Sequence, residues 1–143
     1  MIINSEQEML NFGADFAKRL VSTGDLAGRT VVELLGDVGA GKTTFTRGLA
    51  YGLGVKEPIT SPSFTISKSY ALPHSNGRLI HYDFYRLPDP GLMLDDLQEN
   101  LDNPENIIIV EWGESVANIL PENRIRIHIT YNENGSRSIN LQS

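Results

Sequence analysis

A glycine-rich segment between an apolar run and an amphipathic stretch constrains the fold of this chain more than any other feature. Residues 36–43 read Gly-Asp-Val-Gly-Ala-Gly-Lys-Thr and fit the pattern G-x-x-x-x-G-K-[ST]. The run Val31–Leu35 before them is typical of a buried strand, and after them Phe45, Leu49 and Leu53 recur every four residues, as on one helical face. A strand, a glycine loop and a helix in this order predict a phosphate-binding loop in an α/β fold.

The residue types in this loop suit the phosphates of a nucleoside triphosphate. Gly36, Gly39 and Gly41 allow backbone N–H groups to converge on an anion, and the start of the following helix adds its own unpaired N–H groups. Lys42 would neutralise the β- and γ-phosphates, and the Thr43 hydroxyl would ligate Mg²⁺. A turn that merely needs glycine explains neither of these two side chains. The sequence therefore predicts a site for a nucleoside triphosphate with Mg²⁺.

One acidic residue stands where such a loop requires a second, metal-orienting carboxylate. Glu111 directly follows the apolar run 107–110, which is typical of a central strand covered on both faces. Ligands bind beside the carboxyl ends of the strands in open α/β sheets, and a phosphate loop takes its second carboxylate from a neighbouring strand. We therefore expect Glu111 to ligate Mg²⁺, with an ordinary strand-end acid as the alternative.

The stretch His81-Tyr82-Asp83-Phe84-Tyr85 contains a second candidate carboxylate. Alternation along a strand puts His81, Asp83 and Tyr85 on one face. Asp is unfavourable in the middle of a strand, so Asp83 needs a partner. That partner is Mg²⁺ or a water molecule, or else Arg86 in a structural pair. We expect His81 to be a hydrogen-bonded structural residue.

A hydroxyl-rich segment comes after the helix that follows the loop. Residues 60–65 read Thr-Ser-Pro-Ser-Phe-Thr. A proline turn that enters a strand accounts for this composition, and so does a segment whose hydroxyl groups sense the γ-phosphate. The chemistry of the residues leaves both interpretations open.

The remaining patterns predict the other elements. They are a helix from Ser5 to about residue 22, strands at 64–71, 78–85, 107–110, 124–131 and 136–141, and a helix that Asp89-Pro90 opens with proline in its first position. The run Ser5-Glu6-Gln7-Glu8 fits a capping box, and Asn134-Gly135 is typical of a hairpin turn. The sum is a three-layer α/β P-loop NTPase fold with a mostly parallel central sheet, antiparallel edge strands and a C-terminal hairpin.

Length and composition limit the class of protein. At 143 residues the chain is expected to form one domain, 1–143. The lack of cysteine excludes disulfides and thiolate metal sites. The sequence contains no apolar run of membrane-spanning length and no recognisable export signal, so we expect a cytoplasmic protein without a membrane partner.

The net charge of −6 is unevenly distributed along the chain. Nine acidic residues and no Lys or Arg lie between residues 87 and 123. We expect this stretch to form a solvated acidic face, with a docking surface for a basic protein partner as the alternative. In both cases it disfavours autonomous binding of nucleic acid, because it would repel the phosphate backbone.

Four strings of residues together resemble the TsaE family. They are the loop 36–44, the segment 60–65, the stretch His81-Tyr82-Asp83-Phe84-Tyr85-Arg86 and the pair Glu111-Trp112, in the order of the family. The family comprises bacterial ATPases of tRNA threonylcarbamoyladenosine biosynthesis. The resemblance implies a Mg²⁺-dependent ATPase that acts with the TsaB and TsaD proteins. It also implies that TsaD transfers the threonylcarbamoyl group to adenosine 37 of tRNAs that read ANN codons, so that this chain meets tRNA only through the complex.

The resemblance also implies roles for individual residues. The phosphate-binding residues would be Gly39, Ala40, Gly41, Lys42, Thr43 and Thr44, the metal ligands Thr43 and Glu111, and the catalytic residues Lys42, Asp83 and Glu111. Ser63 and Thr65 would belong to a switch-like segment at the nucleotide. Ser5, at the start of the N-terminal helix, is the nearest match to the family position beside the base.

Other nucleotide-binding classes fit the sequence less well. A GTPase needs the guanine-reading pattern [NT]-K-x-D, and none of the four lysines belongs to one. A small-molecule P-loop kinase is the alternative function, but it needs basic residues over the phosphates, and residues 87–123 carry none. A nucleotide-dependent adaptor that binds ATP and hardly hydrolyses it is a third class, which rates measured with and without partners would separate from an ATPase.

Overall fold

The computed structural model of the chain describes residues 1–21, 30–37, 39–60, 62, 66–73, 75–85 and 89–142. In these ranges the helices are α1 (Glu6–Val21), α2 (Lys42–Gly52) and α3 (Leu92–Leu101), with a 3-10 helix at Gly113–Val116. The strands are β1 (Ile2–Ile3), β2 (Val31–Leu35), β3 (Ser67–Ala71), β4 (Arg78–Asp83), β5 (Ile107–Glu111), β6 (Ile125–Tyr131) and β7 (Arg137–Gln142). Among the described helices, none combines the length and apolar character needed to cross a membrane.

Seven strands of the described residues form one mixed sheet in the order β1-β7-β6-β2-β5-β4-β3. The four central strands, β6, β2, β5 and β4, run parallel to one another. On one side β7 and β1 continue the sheet in antiparallel pairing, and on the other side β3 pairs antiparallel with β4. This topology confirms the predicted mostly parallel sheet with antiparallel edges and a C-terminal hairpin.

Helices cover both faces of the sheet and give the predicted three layers. On one face α1 and α2 bury Phe16, Phe45 and Leu49 in a single apolar cluster. On the other face α3 and the 3-10 helix contribute Leu97 and Val116 to a second cluster. Residues of β5 belong to both clusters, as expected of a central strand that is covered on both sides.

Two glycines allow α1 and α2 to approach each other closely. A Cβ atom at Gly48 would lie 2.9 Å from the carbonyl carbon of Leu10, and one at Gly13 would lie 2.7 Å from the backbone nitrogen of Leu49. Either atom would overlap backbone of the other helix, which cannot move aside as a side chain can. The two glycines therefore fix α1 against α2, whose first turn follows the glycine-rich loop.

The N-terminus of α1 carries most of the predicted capping interaction. Ser5 Oγ accepts a hydrogen bond from Glu8 N at 3.1 Å. Glu8 Oε2 accepts one from Asn4 N at 2.6 Å, one residue before the donor expected in a capping box. The helix ends at Val21, next to its predicted end.

The predicted start of α3 was wrong, because the helix begins later in the chain than Pro90. The helix begins at Leu92, with Gly91 as its N-cap, and Pro90 lies before it. Gly91 has a φ of 53°, and its backbone nitrogen donates to Asp89 Oδ1 at 3.1 Å. The chain therefore turns at Gly91 before helical geometry begins. This turn outweighs the preference of proline for the first helical position.

Two edge strands also differ from their prediction. β3 begins at Ser67 instead of residue 64, because Ile66 has a φ of 70° that interrupts the extended backbone. Residues 64 and 65 lie outside the described part of the chain. β1 was not predicted, since a strand of two residues carries no alternation, and it forms through pairing of Ile2 and Ile3 with β7.

The hydroxyl of Tyr82 in β4 ties α3 to the sheet. It donates a hydrogen bond to Asp96 Oδ2 at 2.6 Å and accepts one from Asn100 Nδ2 at 2.7 Å. Burial, and then the hydrogen bond to Asp96, raise the pKa of the Tyr82 hydroxyl well above its ordinary value. The phenol therefore stays protonated and keeps donating at any pH near neutrality.

Candidate functional site

The glycine-rich loop joins the carboxyl end of β2 to the first turn of α2. Gly36, Gly39 and Gly41 have φ angles of 143°, 84° and 110°, which are backbone conformations that favour glycine. A Cβ atom at Gly36 would also lie 3.3 Å from the carbonyl carbon of Ile129 in β6. Such a backbone keeps side chains away from its N–H groups, and the N-terminus of α2 adds a positive dipole end, so the loop suits an anion.

The side chain of Lys42 is buried beneath this loop, and only 5% of the residue is exposed. Its Nζ donates a hydrogen bond to Gly36 O at 2.6 Å. The same nitrogen lies 3.7 Å from Glu111 Oε1 and 4.5 Å from the centre of the Trp112 ring. Lys42 therefore connects the loop to the carboxyl end of β5.

Glu111 is the last residue of β5 and is buried. The parallel register sets it opposite Leu34 in β2 and Asp83 in β4. Its Oε2 is hydrogen-bonded to His81 Nε2, and its Oε1 faces Lys42. The structure thus places the predicted second metal ligand beside the lysine of the loop.

Asp83 ends β4 next to Glu111 and is also buried. Its Oδ1 accepts a hydrogen bond from Tyr85 N at 2.9 Å, which closes a short turn after the strand. Arg86, the structural partner considered for this carboxylate, lies outside the described residues. Both roles of Asp83, with a metal or water and with Arg86, therefore stay predictions.

These side chains line a cleft of about 420 Å³ at the carboxyl ends of β4 and β5. The residues around it are Gly39, Gly41, Lys42, Thr43, Thr44, Asp83, Tyr85, Glu111, Trp112 and Arg137. Its size lies within the range of small-molecule sites. The cleft brings together most of the residues predicted to bind phosphate and metal, while their binding roles stay predictions.

A second cleft of about 360 Å³ adjoins the first and contains Ser5. The two clefts share Gly41, Thr44 and Arg137. The close packing of α1 on α2 explains this position, since the N-terminus of α1 comes to lie beside the N-terminus of α2. Ser5 thus lies beside the cleft that contains Lys42, and its hydroxyl accepts the bond from Glu8 N, while its role beside a base stays a prediction.

Arg137 is the site residue that sequence reasoning missed. It is the first residue of β7, and its Nε donates a hydrogen bond to Ala40 O in the loop at 3.0 Å. Its Nη1 donates to Gly135 O at 2.9 Å, and its guanidinium carbon lies 4.4 Å from the centre of the Tyr131 ring. The guanidinium is therefore fixed between the two clefts and adds a second positive charge to the site.

An aromatic pair, Tyr85 and Trp112, lines the first of these clefts. The ring centres of Tyr85 and Trp112 lie 4.9 Å apart. Trp112 has a φ of 56°, which is uncommon for a residue other than glycine and directs the chain into the 3-10 helix. Ser63 and Thr65, the predicted switch-like residues, lie outside the described ranges, so their position relative to this pair stays untested.

Comparisons with known proteins agree on one family. The family model described as "Threonylcarbamoyl adenosine biosynthesis protein TsaE" matches residues 3–139. The tRNA threonylcarbamoyladenosine biosynthesis protein TsaE of Streptomyces coelicolor is 40% identical over 121 residues, which cover 85% of this chain and 78% of that protein. The protein of the same name from Haemophilus influenzae is 37% identical over 140 residues, which cover 97% of this chain and 85% of that protein.

A solved structure supports the same relationship. The crystal structure of Bacillus subtilis YdiB matches with a TM-score of 0.70 and 32% sequence identity, covering 97% of this chain and 80% of that chain. This likeness confirms the predicted P-loop NTPase-like fold. With its family match, its relatives and its fold taken together, the chain belongs to the TsaE family and takes part in tRNA threonylcarbamoyladenosine biosynthesis.

Proposed function

We propose that this chain binds and hydrolyses Mg·ATP beside the glycine-rich loop, as the ATPase component of cytoplasmic tRNA threonylcarbamoyladenosine biosynthesis. The observation that carries the proposal is the meeting of two distant segments at one cleft. Lys42 and Thr43 come from the loop, Glu111 comes from the end of β5, and Lys42 Nζ lies 3.7 Å from Glu111 Oε1. An ammonium group, a hydroxyl and a buried carboxylate at one point are the groups that a P-loop uses for phosphates and Mg²⁺.

The residues present fit both ATP phosphates and Mg²⁺. Glycines with positive φ shape the loop, and Lys42 and Arg137 supply positive charge that tetraanionic ATP needs. Mg²⁺ usually takes one or two protein ligands and completes its shell with phosphate oxygens and water, so Thr43 and Glu111 would suffice to hold it. When bound, Mg²⁺ would withdraw charge from the β- and γ-phosphates and so favour attack by water.

The chain's own residues would position the phosphates and the water. Lys42 is held by Gly36 O and by the face of Trp112, so a phosphate oxygen that replaces Gly36 O meets an ammonium group already in place. Asp83 ends the strand next to Glu111, where its carboxylate would accept a hydrogen bond from the attacking water. Arg137, held by Ala40 O, would balance negative charge on the side of the second cleft.

We further propose that the chain acts through a complex with TsaB and TsaD. Membership of the TsaE family supports this partnership. The proposal assigns transfer of the threonylcarbamoyl group to TsaD and gives this chain the hydrolysis of ATP that sustains turnover. Contact of the chain with tRNA would then be indirect.

A reconstituted system tests this function. Purified chain, TsaB, TsaD and tRNA are combined, and phosphate release and the modified adenosine are measured with and without Mg²⁺. We expect phosphate release to need Mg²⁺, to rise when both partners are present, and to accompany repeated modification. Phosphate release that is unchanged when TsaB and TsaD are added would contradict the proposal. A phosphoryl group recovered on a metabolite, seen as a mass shift, would instead identify a small-molecule kinase.

A further inference from the structure

A buried histidine holds one oxygen of the proposed metal ligand. His81 lies in β4 and is 1% exposed, and Glu111 at the end of β5 is 4% exposed. Across the parallel pair, Glu111 stands opposite Asp83, and His81 stands opposite Ile109. The side chains of His81 and Glu111 therefore meet diagonally on one face of the sheet, where His81 Nε2 is hydrogen-bonded to Glu111 Oε2.

The surroundings of the imidazole indicate which nitrogen carries the proton. His81 Nδ1 is buried and has no hydrogen-bond partner among the described residues. An N–H group at that position would have no acceptor there, and an unmet buried donor is costly. A carboxylate paired with Lys42 can only accept hydrogen bonds, so the proton belongs on Nε2, where it is donated to Glu111.

The bond leaves the two oxygens of Glu111 with different tasks. Oε2 is occupied by His81, whereas Oε1 lies 3.7 Å from the Nζ of Lys42, which lines the same cleft as Glu111. A glutamate side chain has three rotatable bonds, and a fixed oxygen removes most of that freedom. The carboxylate is thus oriented before any cation arrives.

We propose that His81 is a positioning residue that orients Glu111 so that Oε1 is presented to Mg²⁺. This inference rests on the proposed function, in which Glu111 ligates the metal. It replaces the purely structural role that the sequence favoured for His81. Groups that orient a metal ligand typically change metal affinity about 10–100-fold when they are removed.

Two substitutions of His81 separate positioning from packing. His81→Phe retains a ring of similar size but removes the donor, whereas His81→Gln retains an N–H donor near the place of Nε2. His128→Phe is the matched control, since His128 is exposed on β6 and does not line the cleft. ATP binding is measured by calorimetry in EDTA and over a Mg²⁺ titration, and thermal unfolding reports whether each variant folds.

We expect His81→Phe to bind ATP in EDTA as the wild type does. The Mg²⁺ concentration that gives half of the Mg²⁺-dependent change in ATP binding should rise about tenfold or more. His81→Gln should return this midpoint to within about threefold of the wild type, because it restores the donor. The control should match the wild type throughout. A folded His81→Phe protein with an unchanged midpoint, or a His81→Gln protein shifted as far as His81→Phe, would overturn the role of His81.

A measurement on the wild type covers the case in which His81→Phe fails to fold. Nitrogen-15 NMR of labelled histidine reports the tautomer directly, and we expect the proton of His81 on Nε2. A proton on Nδ1 would overturn the proposal. Wild-type protein whose ATP binding ignores Mg²⁺ would contradict the proposed function itself, whereas failure confined to the His81 variants would leave that function standing.

Discussion

Lys42 and Glu111 form a buried ion pair in which Nζ lies 3.7 Å from Oε1. Each member also has a second partner, Gly36 O for the lysine and His81 Nε2 for the glutamate. A buried pair offsets its desolvation only when such additional bonds satisfy the remaining atoms. The proposed nucleotide cleft therefore already contains a positioned cation and a positioned anion, and changing either one alters the environment of the other.

Replacing Glu111 by glutamine should abolish most of the proposed hydrolysis. Glu111→Gln keeps the shape of the side chain but removes the charge that would hold the metal, so phosphate release in the complete assembly should fall about a hundredfold or more. Glu114→Gln is a suitable control, because Glu114 is exposed and lies just beyond the same strand. Full Mg²⁺-dependent release by Glu111→Gln would show that the metal is held elsewhere.

Replacing Asp83 by asparagine distinguishes its two candidate roles. If Asp83 orients water or metal, Asp83→Asn should fold with a near-normal melting temperature and lose most phosphate release in the assembly. A structural pair with Arg86 predicts the reverse, a lower melting temperature with turnover retained by the folded fraction. Measuring the melting temperature and phosphate release on one preparation decides between the two roles of Asp83. We expect a near-normal melting temperature and a loss of phosphate release.

Adding a methyl group at Gly48 should loosen the packing of α1 on α2. Alanine is intrinsically better in a helix by about 1 kcal/mol, but its Cβ would lie 2.9 Å from the carbonyl carbon of Leu10. Overlap of this kind typically costs about 1–3 kcal/mol or more, so the free energy of unfolding should fall despite the gain in helix propensity. Tyr51→Ala, at an exposed position of the same helix, should have a small effect in the same urea titration. Equal stability of Gly48→Ala and wild type would show that the helices can separate.

The raised pKa of Tyr82 predicts a loss of stability at high pH. In the unfolded chain this phenol ionises near pH 10, whereas in the folded protein it stays protonated to higher pH. Its contribution is therefore complete below about pH 10 and is lost as the pH rises through the folded pKa, because the unfolded state releases the proton first. Urea unfolding at several pH values should show a steeper alkaline fall for the wild type than for Tyr82→Phe. Tyr51→Phe should keep the wild-type slope, and an identical slope in all three would remove Tyr82 as the cause.

The parts of the site that were predictable depend on local pattern. The loop pattern located Lys42 and Thr43, and the end of an apolar run located Glu111. Alternation along β4 and the residue after it correctly placed Tyr82 and Phe84 in the cluster beneath α3 and Asp83 on the side of the cleft. In each case a short motif, the end of a strand or a period of two determines where the side chain lies, and none of these depends on which strands are neighbours.

The remaining features depend on which strands become neighbours. Arg137 and Ala40 are 97 positions apart, and their contact requires the hairpin of β6 and β7 to lie beside β2. The bond between His81 and Glu111 likewise needs the register of β4 against β5. Neither pairing order nor register is encoded in local periodicity, and for this reason both contacts escaped prediction.

Calorimetric titration of Mg·ATP into Lys42→Ala and wild-type protein tests the central claim most directly. Lys56→Ala is the control, because it also removes one lysine but Lys56 is exposed and lies beyond α2. We predict saturable binding to the wild type and to Lys56→Ala, and a severe loss of affinity in Lys42→Ala, since the phosphates then meet no ammonium group beneath the loop. Unchanged binding of Mg·ATP to folded Lys42→Ala would contradict the assignment of this cleft to the nucleotide.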